Sequence, residues 1–168
     1  MSYTAWSLVY GEQPSTAKWN VLGTNDSHIY DFLGANVAWQ SWTPTLANLT
    51  IGNGTLTCAY TQVGKTVLGR FTVLFGTTTS MGTLPTFTLP VTASATTFTG
   101  GNQGLAMLED ASAGSFLGFV FATSTTVMGI YSMAAASTYA TTANITSTVP
   151  FTWATNDYIG ATFSYEAA

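Results

Sequence analysis

From residue 37 onward, apolar and polar side chains alternate in short runs, the period of strands with one buried face. Thr55 to Val63 puts Leu56, Cys58 and Tyr60 on one side, and Thr66 to Phe75 returns with Val67, Phe71, Val73 and Phe75. Gly64-Lys65 between them predicts a tight hairpin turn, and Gly52-Asn53-Gly54 predicts another. Further strands are expected at Leu105 to Glu109, Phe116 to Ala122, Val127 to Met133, Pro150 to Ala154 and Tyr158 to Tyr165, with Thr155-Asn156-Asp157 as the last turn. Pro85 and Pro90 bracket Thr86 to Leu89, which predicts a short piece at a sheet edge. Thr92 to Gln103 reads as a polar loop. About eight to ten short strands separated by turns predict an all-β fold, an antiparallel sandwich or jelly roll.

The first third follows a different period. Pro14 and Ser15 make a helix start, with Ser15 or Thr16 as N-cap. Trp19, Leu22, Asp26, Ile29 and Leu33 then recur at alternating intervals of three and four, the seam of a helical bundle interrupted by one carboxylate. Gly23 leaves open one kinked helix or two short ones, and Gly34 is a natural stop. The helix could pack on its own domain or form a short oligomer stalk. The expected organisation is an N-terminal segment over residues 1–34 and a β domain over 35–168.

Composition sharpens the reading. The 168 residues carry three Lys+Arg, seven Asp+Glu and one His, a net charge of −4. Charged residues make up 6% of the chain, against about 25% in an ordinary soluble domain. Hydroxyls replace them, with 32 Thr and 14 Ser. Three basic residues cannot neutralise a nucleic-acid backbone or hold an anionic membrane. The single cysteine, Cys58, excludes an intrachain disulfide, and the single histidine, His28, excludes a multi-histidine metal site. Met1 to Tyr10 lack a basic n-region and an unbroken apolar stretch, so no secretory signal is expected. Ala113 to Ala136 is apolar on average, but Thr123 to Thr126 and three glycines fit two strands and a turn better than a spanning helix. Between Phe32 and Leu108 the charges are Lys65 and Arg70, and between Ala111 and Asn156 there are none. So neutral an exterior predicts that copies of the chain cover one another's association-prone surfaces.

No motif carries catalysis. Val63-Gly64-Lys65-Thr66 ends like a phosphate-binding loop, but the glycine required five residues earlier is Ala59 and a strand follows. His28 has Ser27, Asp26 and Asp31 nearby without a strained nucleophile turn. Glu109 and Asp110 are adjacent, so on a strand they point to opposite faces and cannot act as a glycosidase pair. Asn25, Asn48, Asn53 and Asn144 begin glycosylation sequons, which have no meaning without a secretory route. No enzyme activity, cofactor or metal is expected. The remaining site signal is aromatic: Trp39, Trp42, Trp153 and Tyr158 lie near expected strand ends beside hydroxyls and amides, where flat rings could stack on the apolar faces of sugars or simply fill the core.

Two segments resemble structural proteins of tailed bacteriophages. Tyr10 to Asp26, reading YGEQPSTAKWNVLGTND, is similar to the leader of many phage tail-fibre and head-fibre proteins. Trp42 to Leu46, Asn48-Leu49-Thr50, Gly52 to Thr55, Tyr60 and Gly64-Lys65 are similar to the strand-rich domain that often follows, and Trp153 to Tyr165 with Asp157 fits the same pattern. The resemblance implies a non-enzymatic homotrimer in the virion, assembled in the bacterial cytoplasm. Its N-terminal segment, with Pro14, Trp19, Leu22, Ile29 and Leu33, would bind phage capsid or tail proteins. Its β domain would face outward onto host-surface polysaccharide through Trp39, Trp42, Trp153 and Tyr158. The passage from leader to β domain without a long shaft favours a compact knob. A capsid decoration protein with a stabilising or accessory adhesive role is the alternative, and a surface depolymerase is a third reading ranked below both. Neither nucleic-acid binding nor membrane insertion is implied.

Overall fold

The computed structural model describes residues 5, 7, 10–35, 37–95, 101–135 and 139–168, with backbone alone over 30–35. The chain divides into two compact units, Met1–Ala38 and Trp39–Ala168.

The first unit holds one helix, α1 (Thr16–Ala35), which runs through Gly23 without a break. Ser15 caps it: its hydroxyl accepts from the Lys18 amide at 3.3 Å, satisfying a donor the helix cannot. The Lys18 ammonium reaches back to Glu12 and to the carbonyl of Ser7, tying the leader to the first turn. The buried row is Asn25 with half-buried Lys18 and Val21, while Trp19, Leu22 and Ile29 stay exposed. The side chain of Leu33 lies outside the described residues.

The second unit is one antiparallel sheet of ten strands: β1 (Gln40–Ser41), β2 (Leu46–Thr50), β3 (Thr55–Val63), β4 (Thr66–Leu74), β5 (Ser80–Thr88), β6 (Asn102–Asp110), β7 (Gly114–Ser124), β8 (Val127–Ala134), β9 (Thr141–Asn144) and β10 (Tyr158–Glu166). The spatial order is β1-β3-β4-β10-β6-β7-β8-β5-β2, with β9 on β8. The sheet curls into a half-barrel, so that β4 faces β5 across the core: Phe71 and Phe87 stack with centroids 4.7 Å apart although their strands are not paired. The expected all-β, antiparallel, sandwich-like class with one N-terminal helix is the fold observed. Alternation drives the closure. Along β4, Val67, Phe71 and Val73 point inward while Leu68, Arg70 and Leu74 stay exposed, and β10 repeats this with Ile159, Ala161, Phe163 and Tyr165 inside.

Two expectations fail. β5 is nine residues long and lies between β8 and β2, not a short edge piece after Pro85. Pro85 fits because the ladder is already irregular there. Leu84 takes φ 54°, β2 bulges at Asn48 with φ 58°, and the Asn48 amide donates to the Leu84 carbonyl at 3.2 Å. Residues 150–154 form no strand. Phe151 and Trp153 do pack inward, but their segment is held by Asp157 instead of a ladder. The polar loop before Gln103 falls partly on 96–100, outside the described residues.

Asp157 is buried, and its carboxylate accepts from the amides of Ala111 at 3.0 Å and Ala154 at 2.6 Å. It thereby joins the β6–β7 turn to the loop before β10. At that turn the Ser112 hydroxyl and amide hold the Asp110 carboxyl below the usual range, with the Ala113 amide assisting. Gly64-Lys65 forms the β3–β4 hairpin turn with Gly64 at φ 59°, so no phosphate-binding loop exists there.

Candidate functional site

The four aromatic residues separate by what their ring nitrogens and faces touch. Trp42 donates its indole N–H to the Thr88 carbonyl at 3.2 Å and packs edge-on against Tyr60 and Phe163. Trp153 donates to the Thr146 carbonyl at 3.0 Å and stacks on Phe75 at 4.8 Å and against Phe151 at 4.4 Å. Both rings are committed to packing around the core.

Trp39 and Tyr158 lie on the outer face of the sheet. The anchoring of Trp42, whose amide donates to the Cys58 carbonyl, fixes the chain just before it along the β3 edge. Tyr60 assists by donating its hydroxyl to the Gln40 side-chain oxygen at 3.1 Å. Trp39 is thereby presented at 49% exposure, its ring centroid 4.7 Å from the guanidinium carbon of Arg70. A guanidinium over an indole face is an attractive pair, and the contact holds both planes in place. Arg70 makes no ion pair among the described residues, where Lys18–Glu12 is the salt bridge present. Tyr158 lies over Gly160, where a Cβ would meet its ring at 2.7 Å.

Register assembles the site. Ala59, Arg70, Thr162 and Leu105 form one row across β3, β4, β10 and β6; Thr57, Thr72, Gly160 and Met107 form the next. Beside the Arg70 row lies a shallow depression of about 300 Å³, lined by Leu68, Gln103, Leu105, Thr162 and Ser164. The outer face therefore offers an indole ring, a fixed cation, two exposed hydroxyls and a carboxamide around a small apolar floor. That donor set suits an uncharged polyol, or one carrying an acidic group opposite Arg70.

No protein-family model matches the chain, and neither a curated protein nor a solved structure shows significant similarity to it.

Sequence reasoning named Trp39 and Tyr158 but missed Arg70, Thr162, Ser164 and Gln103. For Arg70 a signal existed: it is one of two charges between Phe32 and Leu108, and it sits one residue from inward-facing Phe71. The other three are ordinary hydroxyls and an amide among dozens, and strand pairing alone brings them together. Two of the sequon asparagines serve the fold, Asn48 at the β2 bulge and Asn53 at its turn. Asn53 bonds Thr77 and Thr78 at about 2.9 Å through both side-chain atoms and so fastens its turn to the next loop. His28 is exposed on α1, and the side chain of Asp31 lies outside the described residues.

Proposed function

We propose that this chain is a structural protein of a tailed-phage virion: a compact, non-enzymatic homotrimeric knob, attached through its N-terminal unit and touching bacterial surface glycans. The observation that carries the glycan reading is the exposed Trp39 ring fixed against Arg70 beside a hydroxyl-lined depression. Stacking supplies affinity for apolar sugar faces, and Thr162, Ser164 and Gln103 supply the hydrogen bonds that orient hydroxyls. Two observations support attachment: the leader from Tyr10 to Asp26 resembles those of phage fibres, and α1 leaves Trp19, Leu22 and Ile29 uncovered. An apolar stripe of that spacing suits a groove or partner helix on the particle.

The test is binding of the full chain to an array of bacterial surface glycans. Trp39→Ala is expected to weaken binding at least tenfold, and Arg70→Ala to weaken it selectively for acidic glycans. Trp153→Phe, altering a packed ring, is expected to leave ligand preference unchanged. A folded wild-type chain that binds no glycan would overturn the adhesive role and leave capsid decoration as the function.

A further inference from the structure

Beyond Leu105, the outer face of the sheet changes character. β6, β7 and β8 turn Met107, Leu117, Phe119, Phe121, Tyr131 and Met133 away from the core, and register groups them: Met107 pairs with Leu117, and Phe119 pairs with Tyr131. Met107, Leu117 and Met133 are 46%, 45% and 36% exposed. The three rings already pack edge to face, Phe119 on Phe121 at 6.1 Å and Phe121 on Tyr131 at 5.1 Å. Leu84 adds to the patch from β5, its side chain lying over Gly129.

We infer that this face is the contact between copies of the chain, turned toward the axis of the homotrimer. The inference rests on the oligomer reading above and names the surface responsible. Charge and area both point to a second copy as the occupant. Among the outward side chains of these strands Glu109 is the charged one and it lies at one end, so copies of this face can converge on an axis with little desolvation of ions. An anionic membrane or a nucleic acid would find no cation here to hold it. Three strands spaced about 4.8 Å apart and about nine residues long, at about 3.4 Å each, present roughly 440 Å² of flat footprint. Two such footprints total about 880 Å² before side-chain corrugation, so the face supplies the apolar centre of a contact whose roughly 1,200 Å² is completed by the surface around it. The packed rings lose little freedom on burial, which lowers the cost of association.

The sheet edges explain why the face carries the contact. β1 is two residues long and covers Ala59 and Tyr60 of β3, β9 is four residues long, and β2 is broken by the Asn48 bulge, so these edges offer short or interrupted ladders to a neighbour. The Trp39–Arg70 pair lies on β3 and β4, and the depression beside it reaches Gln103 and Leu105 on β6, so the contact begins at Met107, further along that strand.

Sedimentation equilibrium on the full chain tests this. The wild type is expected at about three times the 17.7 kDa of one chain. Leu117→Glu and Met133→Glu, on separate strands and at exposed positions, are each expected to shift it to the mass of one chain with an unchanged circular dichroism spectrum. Val63→Glu, exposed at the far β3–β4 hairpin, is expected to leave the assembly intact. A wild type that stays monomeric at high concentration would overturn both the oligomer reading and this face. A trimer that both variants leave unchanged would overturn the face alone.

Discussion

Side chains of one type take opposite roles here, and the partner of a single polar atom decides which. Trp42 and Trp153 find carbonyls, Thr88 and Thr146, that only the folded chain brings within reach; Trp39 finds Arg70 on the outer surface. In sequence all three are tryptophans near strand ends, so core and surface could not be told apart. Asp157 was legible as a turn residue and not as a buried clamp, because its amide partners come from two separate loops. Asp157→Ala is expected to lower stability by about 2–4 kcal/mol, since the buried carboxylate's two charge-assisted hydrogen bonds to part-buried N–H groups are lost; chemical denaturation measures it. A second residue-scale effect is alkaline sensitivity. Burial pushes the Cys58 thiol from 9.0 to about 11 and the Tyr165 phenol from 10.0 to about 12, the latter while it donates to the Val91 carbonyl at 2.7 Å. The unfolded chain therefore releases these protons first. Stability from both groups is intact below pH 9 and is lost as pH rises through about 11 for Cys58 and about 12 for Tyr165. The melting temperature should fall across that window, and Cys58→Ala should flatten the lower part of the fall.

Elements with strong local signals were legible. Both hairpin strands around Gly64-Lys65, the strands at β6, β7, β8 and β10, and the Ser15-capped helix follow from alternation, turn residues and capping. Local chemistry failed where a tertiary partner replaced the ladder. Pro85 sits within β5 because Asn48 and Ile145 take up the backbone groups beside it, the latter accepting from the Leu84 amide at 2.8 Å. Phe151 and Trp153 alternate like a strand, while the Ser147 carbonyl accepts from the Trp153 amide and Asp157 from the Ala154 amide just after it. In α1 the Gly23 question is settled as one continuous helix, and nothing stands within 4 Å of where its Cβ would be. Gly23→Ala should therefore raise helix stability by about 1 kcal/mol, read as increased helical ellipticity on thermal denaturation. A loss of stability would mean that the glycine serves a conformation other than this helix.

At the scale of the molecule, near-absence of charge shapes everything else. A body with 6% charged residues keeps its interior as an ordinary apolar core, with Val67, Val73, Leu108 and Ile159 fully buried, and covers much of its exterior with threonine and serine. The sequence pointed to association through neutral surfaces; it did not locate them, because exposed Leu117 and buried Leu108 look alike until register assigns their faces. The outer face then divides into a polar half around Trp39 and Arg70 and an apolar half on β6–β8. We propose that this chain sits on a phage particle, attached through its N-terminal unit and using the polar half of the sheet to touch the host. Electron cryomicroscopy of phage particles carrying the chain decides this. Three copies around a common axis are expected, with α1 against the particle, the β6–β8 faces together and Trp39 turned to solvent. Single copies lying with Trp39 and Arg70 against the shell, or particles without the chain, would contradict it.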